Sequence, residues 1–401
     1  MLFKTDIGSI LAQVESIDPV AYGKTRNDLD GAVTYLSPYI SRGVISTKQV
    51  LESVFKRGFK LYQIESFVKE LCWRDYFQRV GQEKNLSLPI KQAQDHVAHL
   101  QIPLAVMQAQ TGIEGIDQAI AGLYQTGYMH NHARMYTASV VCNIAKSDWL
   151  MPAQWMYYHL LDGDWASNAC SWQWVAAANS GKKYYANQEN INKYTKIAQR
   201  HTFLDCTYEE LAIMQIPEAL KTLASFQPEP QDQFNHTSNN HTLFTNTDQL
   251  ETTHNQSLFI NTDESGITTQ PIFIYNYYNL DPHWHRDEPG TRILLLEPEF
   301  FEQYPISSKC WNFMMDLAAE IPNITVYYGS FASLLEILSQ SNPTHENLAN
   351  NIRYKEHPLN LGYQGIEEPR DWIAPTVQGY YPSFFAYWKA VEKLLKKNPL
   401  S

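Results

Sequence analysis

No apolar run in this 401-residue chain approaches the roughly 18 residues that a membrane-spanning helix needs. The opening segment, MLFKTDIGSI, carries Asp6 where a signal peptide has its apolar centre. The five cysteines, at 72, 142, 170, 206 and 310, are odd in number and irregularly spaced. That pattern fits neither a disulfide framework nor paired zinc or iron–sulfur ligands. Neither a G-x-S-x-G elbow nor a G-x-G-x-x-G turn is present, so serine hydrolase and Rossmann dinucleotide readings have no motif. Gly23-Lys24-Thr25 imitates the end of a P-loop, but Asp18 stands where its first glycine belongs. His130 and His132, like His283 and His285, are two apart, and on a helix such pairs diverge by about 200°. No metal is expected. The chain reads as soluble, cytoplasmic and monomeric, without membrane contact.

Excess charge is also missing from one half. Residues 1–210 hold 20 Lys+Arg and 20 Asp+Glu; subtraction from the totals of 31 and 42 leaves 11 and 22 in 211–401. The second half therefore carries the whole net charge of −11, and the neutral first half is free to display a basic face. With 44% hydrophobic and 18% charged residues the chain folds rather than remaining disordered. Its length points to two or three domains.

Periodicity divides the chain. Residues 1–225 read mainly as helix, with apolar residues recurring at three and four in 64–80 and 116–127. Residues 226–257 are rich in Gln, Asn, Thr and His and read as a polar linker. Within 258–401, PIFIYNY (271–277), TRILLLE (291–297) and ITVYYG (324–329) read as buried strands, with a helix at 309–321 between the last two and a closing helix at 383–397. The fold class is mainly α, followed by a small parallel α/β region.

Chemistry concentrates between Gly127 and Trp174. Asn131, Arg134 and Met135 share one helical face at i, i+3, i+4. Asp164, Asn168 and Trp172 form a second stripe, with Asp162 just before it. A guanidinium buried among helices needs a carboxylate, and Asp162 or Asp164 is the candidate. Trp172 and Trp174 face different directions, one inward and one toward a cavity. Upstream, Glu70 and Trp73 share a face, with Arg74 adjoining.

In order and spacing this set resembles the FAD-binding helical domain of the DNA photolyase and cryptochrome family, over roughly residues 20–210. The segment from Tyr22 through Arg26-Asn27 to Gly31-Ala32-Val33-Thr34-Tyr35-Leu36-Ser37-Pro38 is similar to the family's flavin-phosphate loop. Val33, Thr34 and Tyr35 stand where Thr-Ser-Arg is usual. Glu70-Leu-Cys-Trp73-Arg74-Asp-Tyr-Phe, His130-Asn131-x-x-Arg134-Met135 and Asp162-Gly163-Asp164-x-Ala166-x-Asn168-x-x-x-Trp172-Gln173-Trp174 match its other signatures.

The resemblance implies FAD as cofactor and UV-damaged DNA as partner. It implies that Tyr22 and Val33, Thr34, Tyr35, Leu36 and Ser37 hold the FAD phosphates, and that Arg134 pairs with Asp162 beside the flavin ring. Gly163 and Asp164 would border that ring, and Asn168 would face its N5. Glu70, Trp73, Asn131, Met135 and Trp174 would line a cavity for a flipped-out dimer. Trp172 and Trp149, ten residues after Asp162 and thirteen before it, would relay electrons to oxidised flavin. A third step would fall to Trp155 or a nearby tyrosine, or the relay would stop at two.

Asn131 and Met135 look like the cyclobutane-dimer branch, whose members split that lesion by electron transfer from excited reduced flavin. A cryptochrome-like photoreceptor that binds FAD without repair is the alternative, and a flavin-free interaction scaffold a third reading. Family members usually begin with an α/β antenna domain; here residues 271–340 would be a reduced, antenna-like layer placed after the helical domain.

Overall fold

The computed structural model describes residues 3–229, 243–245, 270–340, 348–360 and 362–397. In the first half the helices relevant to the site are α1 (Pro19–Thr25), α2 (Ser37–Ser41), α3 (Thr47–Lys56), α4 (Leu61–Glu83), α5 (Glu114–Thr126), α6 (Asn131–Ser139), α7 (Leu150–His159) and α8 (Trp165–Val175). The caps follow from the sequence. Asp18 accepts from the Val20 and Ala21 N–H groups ahead of Pro19, and Ser46 with Gln49 closes a capping box on α3. The P-loop look-alike Gly23-Lys24-Thr25 is the last turn of α1.

The long helix α4 is the axis of this half. Phe67, Val68, Leu71, Cys72, Tyr76 and Val80 are all buried on it, which is how a helix reads when neighbours cover it on several sides. It packs against α1, α3 and α8. Asp75, buried on the same helix, accepts from Thr47 Oγ1 (2.8 Å) and from the Ile373 N–H (3.0 Å), joining α3 and the C-terminal region.

The second half contains a sheet of β1 (Leu243–Thr245), β2 (Ile272–Tyr275), β3 (Thr291–Leu296), β4 (Ile324–Tyr328), β5 (Ile352–Lys355) and β6 (Ile366–Glu368), in the order β1-β4-β3-β2-β5-β6. All neighbours pair in parallel except β1, which runs antiparallel to β4. The strands expected from the apolar runs are thus β2, β3 and β4. Most of the expected linker 226–257 lies outside the described residues, but 243–245 within it form the edge strand β1.

Strand alternation assigns the two faces. Phe273, Tyr275, Leu294 and Leu296 join the main core with the helical half, through α9 (Ser308–Ala318). Ile272, Ile274, Ile293 and Leu295 face a second core with Phe331, Leu334 and Leu338 of α10 (Phe331–Gln340). The two halves share one core, which runs from Phe3 to Leu395. At one contact Gly43 (φ +65°) lets the chain approach so closely that a Cβ there would lie 2.3 Å from the Tyr278 carbonyl oxygen.

The closing helix α11 (Phe384–Lys397) completes the cover by packing on α4. The Phe384 ring stacks on Trp73 at 3.8 Å between centroids and 10° between planes. Replacing Phe384 by Ala removes this ring from a site that is only 3% exposed. Such a truncation costs about 3–5 kcal/mol. Denaturant unfolding should show that loss in a single transition; an unchanged midpoint would mean that α11 contributes nothing to the helical half.

Candidate functional site

The turn between α7 and α8 places Asp162, Gly163 and Asp164, and it is tied down from three directions. Leu161 N–H donates to the Gly127 carbonyl (2.9 Å) at the end of α5. Gly127 has φ +73°, and a Cβ there would lie 2.6 Å from Leu161, so glycine serves both the helix stop and the close approach. Ser41 Oγ donates to the Asp162 carbonyl (2.9 Å), and the Arg42 guanidinium donates through Nη2 to the Gly163 carbonyl.

The Asp162 carboxylate then meets two guanidiniums. Arg134 Nη2 lies 2.9 and 3.0 Å from its two oxygens, and Arg74 Nη2 lies 3.8 Å away. Arg134 Nε donates to the Met129 carbonyl, and Arg74 Nη1 to Ser41 Oγ, so both cations are oriented by second partners. Burial alone would raise the Asp162 pKa, but Arg134 and Arg74 hold the carboxyl below the usual carboxylate range. Of the two acids open as the partner of Arg134, Asp162 is the one that pairs.

Asp164 has a different task. It is the N-cap of α8 rather than a member of a helical stripe, accepting from Ser167 N–H (2.7 Å) and from Gln78 Nε2 (2.6 Å). Asn168, one turn on, donates through Nδ2 to the Ala153 carbonyl (2.8 Å), which fixes its amide against α7. On α4, Glu70 pairs with Arg26 (3.1 Å), and burial pushes the Glu70 carboxyl up although Arg26 opposes it. Asn131 begins α6, with its amide 4.0 Å from Met135 sulfur, and His130 caps that helix through Nδ1.

The expected phosphate loop lies beside these groups. Tyr22 is edge-on to Phe67 at 5.2 Å. Val33 N–H donates to Gly31, the Thr34 carbonyl accepts from Gln13, and Thr34 Oγ1 accepts from the Leu36 N–H. Tyr35 sits at φ +53°, a costly backbone for a tyrosine, and packs on Tyr128 at 5.2 Å. Ser37 opens α2, where Leu36 supplies no side-chain cap, and its side chain helps to lower the Asp162 pKa.

The tryptophans divide as their spacing suggests. Trp172 is buried, whereas Trp174 is 39% exposed and lies 5.7 Å from Tyr184. Trp149 is buried as well, and no ring contact joins it to Trp172 among the described residues. Trp155 donates through Nε1 to the Tyr124 hydroxyl (3.1 Å), a ready-made tryptophan–tyrosine pair.

Residues 67–236 match the family model for the FAD binding domain of DNA photolyase. On that match the helical half is similar to the photolyase/cryptochrome family. A deoxyribodipyrimidine photo-lyase of Vibrio cholerae is 32% identical over 164 residues, 37% of this chain and 34% of that protein. One of Alkalihalophilus pseudofirmus is 30% identical over 150 residues, covering 36% and 31%. A chloroplastic/mitochondrial cryptochrome DASH of Ostreococcus tauri is 30% identical over 211 residues, covering 48% and 38%. The chain thus spans about a third of the length of these relatives. The cofactor of this photolyase-type domain is FAD, and the donor set fits it. Arg74 and Arg134 meet at Asp162 with side chains still 22% and 21% exposed, so both guanidiniums keep donor N–H groups open to an acceptor-rich cofactor.

Arg42 and Ser41 were not among the site residues read from the sequence. The signal was present in the run YISRGVI, because an arginine inside an apolar segment must be buried or bonded. Arg42 is fully buried, 3.5 Å from the centre of the Tyr277 ring.

Asp162→Ala would leave Arg134 and Arg74 uncompensated, at a cost of about 3–5 kcal/mol. The purified variant should lose its FAD, seen as loss of flavin absorbance; tight retention would remove Asp162 from the cofactor site. Because the folded pKa is depressed, the carboxylate's contribution is complete above the unfolded value of about 4 and is lost as pH falls through the folded one.

Proposed function

We propose that the chain is a light-dependent DNA repair flavoprotein that splits cyclobutane pyrimidine dimers in UV-damaged DNA. The observation that carries the reading is the way Asp162 ties two helix faces together. Arg74 comes from the face of α4 that bears Glu70 and Trp73, and Arg134 from the helix that bears Asn131 and Met135. The candidate lesion-binding side chains therefore border the carboxylate expected beside the flavin.

Reduced FAD, when bound and excited by light, would supply the electron that opens the cyclobutane ring. The protein's part is to hold and orient. A dimer must leave the base stack to come within reach, and the exposed Trp174 offers it an apolar face. Glu70, whose carboxyl burial pushes up while the paired Arg26 opposes it, offers its oxygens to a base N–H. The Asn131 amide offers both a donor and an acceptor to the base edge. Tyr22 and the 33–37 loop would hold the FAD phosphates, and Asn168, fixed by Ala153, would present a polar group to the ring.

One observation favours the photoreceptor alternative. Phe384 covers one face of Trp73, so that ring offers a lesion only its other face and edge. The relatives likewise include both photo-lyase and cryptochrome DASH names.

Repair of a thymine-dimer oligonucleotide in light but not in darkness tests the proposal, and absence of light-dependent repair by the FAD-loaded, reduced protein would favour the photoreceptor. Trp174→Ala and Glu70→Ala should keep FAD but weaken dimer binding. The tryptophan contributes about 1–3 kcal/mol of stacking, so roughly tenfold in affinity is expected; unchanged repair kinetics in both variants would count against the lesion cavity. Trp172→Phe should block photoreduction of oxidised FAD by an external reductant, yet spare repair once the flavin is chemically reduced. Photoreduction at the wild-type rate would exclude Trp172 from the relay.

A further inference from the structure

The parallel sheet changes direction at β2. From there the chain lays down β3 and β4 on one side, then returns to place β5 and β6 on the other. In open parallel sheets the crevice outside the carboxyl ends of two such strands, where the connections diverge, is the usual place for a ligand. Here it lies between the loop after β2 (276–281) and the loop after β5 (356–360), and the segment Gly43–Thr47 of the helical half forms its far wall. The cavity there is about 40 Å³, and a smaller one of about 20 Å³ adjoins it across Tyr278.

The walls of the larger space carry polar atoms that the described residues leave unused. Asn279 is 4% exposed, and neither its Nδ2 nor its Oδ1 has a partner. Its backbone is fixed, because the Asn276–Asn279 turn is closed by a pair of main-chain bonds and Leu280 N–H donates to the Arg42 carbonyl. His357 accepts from the Leu359 N–H through Nδ1 (3.2 Å), and its Nε2 is buried without a partner. Burial, with Arg370 and Arg42 nearby, lowers the His357 pKa to about 3, so the ring is neutral and carries its proton on Nε2. Tyr278 stacks on this ring at 3.9 Å and fixes its plane. Arg370 Nη1 is a third buried, unpartnered donor, on a guanidinium held 5.0 Å from the Trp372 ring.

The acids lining the space are engaged. Asp281 accepts from the His283 N–H and from Lys355, which also lies 3.9 Å from Asp371. Glu356 accepts from Trp372 Nε1, from the Arg370 N–H and from Gln82. What remains is three donors, one of them cationic, and a single acceptor. A buried set of that kind is costly unless something completes it. A hydrogen phosphate group does so, with several acceptor oxygens for the three donors and one O–H for Asn279 Oδ1.

We propose that this crevice is a binding site for a phosphate-type oxyanion, either free or borne by a nucleoside monophosphate, held by Asn279, His357 and Arg370. It lies between the C-terminal sheet and the Gly43–Thr47 segment, with His357 within electrostatic reach of Asp164.

The test uses the full-length, FAD-loaded protein, so that the flavin site is filled, and titrates inorganic phosphate and AMP separately by calorimetry. Saturable binding of at least one is expected. A preference for AMP assigns a nucleotide, and equal or better binding of phosphate assigns the free ion. Asn279→Asp sets a carboxylate against the oxyanion, and Asn279→Leu removes both amide atoms; each should weaken binding about tenfold or more. Arg370→Gln provides a third variant outside the tight turn and should weaken binding likewise. No saturation at millimolar phosphate or AMP, or wild-type binding in folded forms of these variants, would overturn the proposal.

Discussion

Two guanidiniums converging on one buried carboxylate is the constraint on which the site depends. Asp162 lies in a turn with no regular structure of its own, yet it fixes the relation of three helices. Arg74 reaches it from α4 and Arg134 from α6, while the turn itself leads into α8. A carboxylate in that position is tolerated only because both cations are oriented by further partners, Ser41 Oγ and the Met129 carbonyl. Once those bonds are made, the stripe with Glu70, the stripe with Asn131 and the stripe with Asn168 are set around one point.

The C-terminal region supports this arrangement from outside. Arg42 is the link, since one end of its guanidinium holds the Gly163 carbonyl and its face lies on Tyr277, just past β2. A buried cation with no carboxylate bonded to it is expensive, and the ring face offsets part of that cost. The strand pattern allows the contact: one face of the sheet is apolar toward the helical half, and the other is covered by α10. The acidic excess lies in the second half, while residues 1–210 balance to zero.

Much of this was legible in the sequence, for physical reasons. Long apolar periodicities marked α4, α5 and α11, and short β-branched runs marked β2, β3 and β4. The need of Arg134 for a carboxylate narrowed its partner to two acids before any geometry was known. Other features were invisible because they depend on distant chain segments. Nothing near Arg42 announces Tyr277, and nothing near Trp73 announces Phe384. Asp164 looked like part of a helical stripe because its spacing to Asn168 is right; only the backbone at the turn makes it a cap. The edge strand β1 was hidden in a polar stretch whose composition gave no reason to expect pairing.

A double-mutant cycle between Arg134 and Asp162 tests the central claim most directly. Arg134→Gln, Asp162→Asn and the double variant would each be assayed for unfolding free energy and FAD affinity. If one buried pair organises the site, the double variant should be far less impaired than the sum of the single ones, with a coupling of about 1–3 kcal/mol. Additivity within about 0.5 kcal/mol would mean that the two groups act independently, and that Asp162 is not the point around which the site is built.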